Sequence, residues 1–152
     1  MKTIHVLGTG GTIASTGSAG GAKPKKRGKE LVESVFQGEP PVDLIVDQVA
    51  QVSSFHMGFE TMASIVRSAK SAASDGSDGI IITHGTDTME ESVFYASLTS
   101  QVDVPIVFTG AQRRPDEISP DGPANLKAAI RVVRGCHRTV TTPKSRVNAE
   151  VE

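Results

Sequence analysis

A chain of 152 residues, 38% hydrophobic and 22% charged, is long enough to bury one core and too apolar to remain disordered. A formal net charge of −1 argues against general affinity for nucleic acid or acidic membranes, and no apolar run is long enough to span a bilayer. A single cysteine, Cys136, excludes an internal disulfide framework; nothing at the amino end reads as a secretory leader, so the expected compartment is the cytoplasm.

The stretch TIHVLG, from Thr3, predicts a first strand stopped by the glycines of residues 8–11. Residues 12–28 are rich in Gly, Ala, Ser and Lys and offer little to pack, which predicts a mobile loop. Leu31, Val32, Val35 and Phe36 share a face of a short helix, ended by Gly38, Pro40 and Pro41. DLIVDQVAQV predicts a second strand. Phe59, Met62, Ile65, Val66, Ala69 and Ala73 recur at helical spacing and predict a helix over Phe59–Ser74. GIIIT is a third strand, followed by a helix over residues 89–100; VPIVFTG is a fourth strand. Asp121 is expected to cap a last helix, with Pro123 in its first turn and Leu126, Ala129, Ile130 and Val133 on its apolar face. Beyond Arg134 no clean period survives, so the reading is one domain over residues 1–134 and a degenerate tail over 135–152.

Strands alternating with helical crossovers require parallel pairing with helices on both faces. The expected fold is a three-layer α/β sandwich with a mainly parallel, flavodoxin-like sheet. Its strands are almost wholly apolar, as when both faces are covered.

Three strand ends share one signature: GTGGT after the first, THGTDT after the third, TGAQRR after the fourth. Parallel strands deliver their carboxyl ends to one edge, where open α/β sheets hold ligands. Thr9, Thr12, Thr86, Asp87, Thr88, Thr109 and Gln112 are therefore expected to converge. Glycines there admit a ligand close to backbone N–H groups that bind carboxylates or oxyanions. A threonine hydroxyl becomes a nucleophile only when a base takes its proton; His84 is the nearest base, and a Thr–Asp pair with a lysine is another route. Thr88 is read separately as a helix cap, with Glu91 completing a capping box.

Taken in order, GTGGTIAS, THGTDTMEES and FTGAQRRPDEISPDGPANLKAAI resemble the bacterial-type L-asparaginase family, whose members hydrolyse asparagine and sometimes glutamine. The resemblance runs from Lys2 to near Arg134. It implies an amino-terminal α/β domain lacking the family's second domain, and a homo-oligomer. It also implies hydrolysis of an amino-acid amide without metal or organic cofactor. Thr12 matches the nucleophile, Thr86 and Asp87 the second threonine and the aspartate that meets the substrate's amino group, and Ser54 the serine that holds its carboxylate. Gly11 and Gly85 fall beside these as substrate-binding positions.

The sequence also departs from the family pattern. No tyrosine stands in residues 13–30, where Ala22 is near the family's position for one; Tyr95 lies in a predicted helix. Phe55 follows Ser54 where asparagine-specific members often carry Gln. The tail TVTTPKSRVNAEVE keeps SRVNA, but Thr141 or Thr142 replaces the family's lysine, leaving Lys144 as the nearest candidate base. These departures sustain one alternative, a weak or inactive relic that binds small amino acids or serves as an assembly partner. A second alternative, an asparaginase-like subunit of a tRNA-dependent amidotransferase, is weakened because MKTIHVLG starts directly at the first strand without that subunit's extra amino-terminal domain.

The remaining signals read as structure. The basic run KPKKRGK, residues 23–29, has no interleaved aromatics for base stacking and is read as a solvated flap. GTGGT lacks the spacing of a dinucleotide loop, because Ile13 stands where the third glycine belongs. His5, His56, His84 and His137 lack metal-ligand spacing, and His84 is read as a turn residue held by hydrogen bonds. Arg113 and Arg114 are read as a solvated loop pair.

Overall fold

The computed structural model describes residues 1–17, 23–36, 40 and 42–136. Strand β1, Thr3–Gly10, runs through the middle of a four-stranded sheet. β4 (Asp43–Val52) lies on one side of it; β5 (Gly79–Thr83) and then β6 (Ile106–Thr109) lie on the other, all parallel. Counting only these four strands, the order is 2-1-3-4, the start of the flavodoxin-like order. Two short strands, β2 (Ser15–Thr16) and β3 (Lys23–Pro24), pair antiparallel outside the sheet.

The alternation of side chains along each strand builds two cores. On one face Ile4, Val6 and Ile81 pack with Leu31 and Val35 of α1 (Gly28–Val35) and with Leu126, Ala129, Ile130 and Val133 of α4 (Gly122–Gly135). On the other, Leu7, Ile80 and Ile82 pack with Ile65, Ala69 and Ala72 of α2 (Phe59–Ser74). A third helix on the chain, α3 (Met89–Thr99), contacts α2. The sandwich has three layers as expected, and Ile80, Ile81 and Ile82 are fully buried at its centre. Each contributes roughly 1.5–3 kcal/mol by leaving water.

The structure departs from the sequence reading at several points. β4 is an edge strand, so its sides are not equally covered: Ile45 is 46% exposed, and Asp47 reaches across to His5 on β1, with Oδ2 2.6 Å from Nε2. The described parts of residues 12–28 form short elements packed on the domain. A 3-10 turn, Thr12–Ala14, buries Ile13 and Ala14 in the first core, and the Ala14 carbonyl accepts from both Lys25 N and Lys26 N. Phe59 opens α2 but is exposed; burial on that helix starts at Met62. Ser100 is the C-cap of α3 rather than a member of it. Asp121 makes no side-chain hydrogen bond to the first turn of α4; its carboxylate instead accepts from Gln112 N (3.0 Å), Arg113 N (2.8 Å) and Asn125 Nδ2 (3.2 Å). Two backbone N–H groups of the loop after β6 converge on that carboxylate, and the third donor, Asn125, comes from α4.

Among the described residues, no helix is long and apolar enough to cross a membrane. Gly135, read as the start of the tail, is the last residue of α4 and Cys136 its C-cap; the rest of the tail with His137 and Lys144, and Ala22, fall outside the described residues.

Candidate functional site

The carboxyl ends of the parallel strands meet through their backbones. Gly11 N donates to Val52 O at 2.9 Å, and His84 N donates to Thr109 O at 2.8 Å. Gly11 has φ 76°, a left-handed conformation natural to glycine. A Cβ there would also overlap Gly85 N and Cα, so the ends of β1 and β5 are pressed together as only glycine permits. A Cβ on Gly85 would meet Ser54 Oγ and Gly11 Cα. Gly85 is therefore in contact with both Gly11 and Ser54. Thr12 follows Gly11 and Thr86 follows Gly85; both are half-buried. β6 closes the group from the other side, since a Cβ on Gly110 would stand 3.4 Å from Thr86 Cγ2.

Ser54 opens a 3-10 turn, Ser54–His56, and is buried. Its Oγ donates to Asp87 Oδ2 at 2.5 Å, and Asp87 N donates back to Oγ at 3.2 Å. Asp87 is exposed, so its other lone pairs face solvent. Thr88 Oγ1 donates to Ser54 O at 2.8 Å and makes no cap bond to α3, which corrects the capping-box reading. The hydroxyl proton goes to that carbonyl while the oxygen accepts from no helix N–H, so the threonine ties the Ser54 turn to the loop after β5. The carboxylate of Asp87 can accept from an ammonium, and the Ser54 hydroxyl can donate to a carboxylate.

His84 is fully buried. Its Nδ1 lies 2.6 Å from Gly85 O, which only accepts, so Nδ1 carries the proton; Nε2 then accepts from Ser92 Oγ at 2.9 Å. Burial holds the imidazole below its ordinary pKa and keeps it neutral, against a smaller opposing pull from the Gly85 carbonyl and Glu91. With both nitrogens engaged, His84 is not free to act as a base.

Not all strand-end residues face the same centre. Thr9 is buried and its Oγ1 donates to Thr83 O at 2.7 Å, tying β1 to β5. Thr109 is buried, Gln112 is exposed and joined to Asp121 through its backbone, and Tyr95 is half-buried in α3. Thr9 and Thr109 thus sit at the strand ends with Thr83 and His84, while Gln112 is tied through its backbone to Asp121. Ser92, Asp116 and Asn125 were not found by sequence reasoning. The only signal for Ser92 is its place eight residues after His84, on the following helix.

Arg114 is not a solvated pair with Arg113. Its Nε lies 2.6 Å from Glu117 Oε1 and 3.4 Å from Asp116 Oδ1. Asp116 Oδ2 in turn accepts from Gly17 N at 2.7 Å, so the β6–α4 loop clasps the arm leaving β2. That N–H, with Arg114 and Lys26 adding their charge, holds the Asp116 carboxyl below its ordinary pKa. Within the basic run, Lys23, Lys25, Arg27 and Lys29 are exposed.

Three comparisons bear on this geometry. The family model "Asparaginase, N-terminal" matches residues 3–141. A probable periplasmic L-asparaginase of Haemophilus influenzae is 35% identical over 134 residues, covering 86% of this chain and 38% of the relative. A glutaminase-asparaginase of Pseudomonas fluorescens is 36% identical over 138 residues, covering 87% and 38%. A crystal structure of a probable cytoplasmic L-asparaginase from Campylobacter jejuni superposes with a TM-score of 0.82 at 34% identity, covering 91% of this chain and 42% of the other. The thermostable L-asparaginase from Thermococcus kodakarensis gives a TM-score of 0.76 at 30% identity, covering 87% and 40%. The chain thus spans under half the length of each of these relatives.

Proposed function

The chain belongs to the asparaginase family, and on that premise we propose that its strand-end group binds the free amino-acid end of an asparagine-like amide and cleaves the amide slowly. Ser54 takes the α-carboxylate and Asp87 the α-ammonium. Thr12 is the nucleophile: its Oγ bonds to the side-chain amide carbon, the C–N bond breaks, and the hydroxyl proton leaves with nitrogen as ammonia. Water then adds to the resulting ester and returns Thr12 with aspartate as product. Thr86 stands beside the reacting amide, and backbone N–H groups after Gly11 and Gly85 stabilise the developing oxyanion. Lys144 is the candidate base for Thr12. No metal or organic cofactor enters these steps.

One observation supports this reading above the others: Ser54 Oγ and Asp87 Oδ2 hydrogen-bond to each other beside the Gly11–Gly85 contact. A donor for a carboxylate and an acceptor for an ammonium, side by side, match the two charges of a free amino acid. The test is aspartate titrated into the chain by calorimetry, with Ser54→Ala and Asp87→Asn as controls. Saturable binding that both variants weaken supports it; no binding, or binding indifferent to both, refutes it. Phe55, exposed after Ser54 where asparagine-specific members often carry Gln, makes glutamine the second substrate to assay. A homo-oligomer and a cytoplasmic location belong to the same proposal.

A further inference from the structure

We propose that His84, held by Ser92, is a positioning residue that fixes the Gly85 carbonyl and through it the backbone carrying Thr86 and Asp87. The proposal rests on the reading of this edge as the ligand site. Gly85 is wedged between Gly11 and Ser54 and has no side chain with which to lock its own peptide. The Gly85–Thr86 peptide plane carries the Thr86 N–H and sets the direction in which the chain enters Thr86 and Asp87. Asp87 N meets Ser54 Oγ at 3.2 Å, so a rotated peptide would also loosen the Ser54–Asp87 pair.

The imidazole is suited to this task. It accepts from Ser92 Oγ at 2.9 Å and donates to Gly85 O at 2.6 Å, so a hydroxyl on α3 orients the ring and the ring orients the carbonyl. The His84 ring leans on Phe108 of β6, with centroids 5.9 Å apart and planes tilted by 59°, which limits its rotation. The chain of contacts runs from helix to ring to strand-end peptide without passing through solvent, since Ser92, His84 and Gly85 are all buried. Ser92 cannot be replaced by an apolar residue without leaving Nε2 unpaired in the interior.

The experiment reads the ring and the peptide directly. In nitrogen-15 spectra of the unaltered full chain, His84 is expected to be the single neutral tautomer protonated at Nδ1. In Ser92→Ala, Nε2 loses its donor, so its resonance is expected to shift and the ring signals to broaden as the ring loses its fixed orientation. The amides of Gly85, Thr86 and Asp87 should shift, while those of Ile80, Ile81 and Ile82 stay in place. Ser92→Thr, which keeps the hydroxyl, should restore the original spectrum. Aspartate affinity should fall about tenfold in Ser92→Ala, the scale of a small misplacement at a positioned site, and recover in Ser92→Thr. An Nε2-protonated tautomer in the unaltered chain, or unchanged Thr86 and Asp87 amides in Ser92→Ala, would overturn the proposal. If Ser92→Ala proves unfolded, the tautomer of the unaltered chain and the Ser92→Thr spectrum decide it. Failure of the unaltered chain to bind aspartate would instead sink the ligand reading, with the spectra still judging the pin.

Discussion

Ser54 Oγ donates to Asp87 Oδ2 at 2.5 Å, joining two residues separated by 33 positions in sequence and carried on the ends of different strands. Each satisfies in the other the group proposed to face a ligand. On the proposed reading, binding of an amino acid exchanges one hydrogen bond for two: the hydroxyl turns to the ligand carboxylate, and Asp87 turns to the ligand ammonium. Hydrogen bonds to charged groups contribute about 1.5–3 kcal/mol each, so Ser54→Ala and Asp87→Asn are each expected to weaken aspartate binding by roughly tenfold to a hundredfold. Calorimetry measures both, and the double variant should show coupling, because each partner alone leaves the other unpaired.

The Asp116–Gly17 clasp predicts a pH dependence. The folded-state pKa of Asp116 is lowered, chiefly by the Gly17 N–H. Its contribution is fully present above the ordinary carboxylate pKa and disappears as pH falls through the depressed folded value. Protection of the Gly17 amide from hydrogen exchange, corrected for intrinsic rates, should be lost on acidification. Asp116→Asn should lose it already at neutral pH. Protection that persists unchanged in the variant would show that the arm after β2 is held by something else. Amides at the centre of β5, Ile80 to Ile82, should be far better protected than those of residues 25–28 in either protein.

Burial predicts where the fold is least tolerant. Ile81 is 0% exposed and packs among residues of β1, α1 and α4. Ile81→Ala is expected to cost about 2–5 kcal/mol, by lost transfer energy and by the cavity left behind. Urea unfolding measures it. Ile45, nearly half exposed on the edge strand, should cost well under half as much when changed to Ala.

The different fates of these two isoleucines show what the sequence could reveal. GIIIT and DLIVDQVAQV are both apolar runs bounded by turn residues, and both form strands with the expected bounds. Asp47, Gln48 and Gln51 within DLIVDQVAQV mark it locally as the less covered strand, but strand order itself arises from crossovers between distant segments. Ile13 was lost among polar neighbours because periodicity needs several apolar positions, and a 3-10 turn buries only Ile13 and Ala14. Thr88 with Glu91 fits a capping box, yet a carbonyl 34 residues away claimed the hydroxyl. The site motifs were legible because strand ends concentrate Gly, Thr and Asp. His84's partner was not, since a serine within a helix carries no signal of its own.

Self-association is expected from α3, where Val93, Phe94 and Leu98 are 41%, 65% and 56% exposed. Phe94 and Leu98 lie one turn apart and form an apolar stripe. A stripe of that kind tends to be covered by a partner. Sedimentation at tens of micromolar, on the order of ordinary assay concentrations, should show a species larger than one chain. Phe94→Glu should shift it toward the monomer. A clean monomer in the unaltered protein would count against the proposal.

Turnover is expected to lag far behind binding. The parts proposed to hold the ligand are Ser54, Asp87 and the backbone around Gly11 and Gly85. The parts that raise the nucleophilicity of Thr12 are depleted in the sequence: residues 13–30 carry no tyrosine, and Thr141 or Thr142 replaces the lysine, with Lys144 displaced from it. Removing one member of a cooperating catalytic set costs about three to six orders of magnitude, and further losses add little. Against a typical enzyme turning over at roughly ten per second, this chain should fall below about one turnover per hundred seconds. Ammonia release from asparagine by purified protein measures the rate, with Thr12→Ala as the control for contaminating enzyme. Slow release that disappears in Thr12→Ala supports the proposed nucleophile. A rate near ten per second, lost in both Thr12→Ala and Lys144→Ala, would show instead that Lys144 supplies the base in full and that the sequence departures do not impair the chemistry.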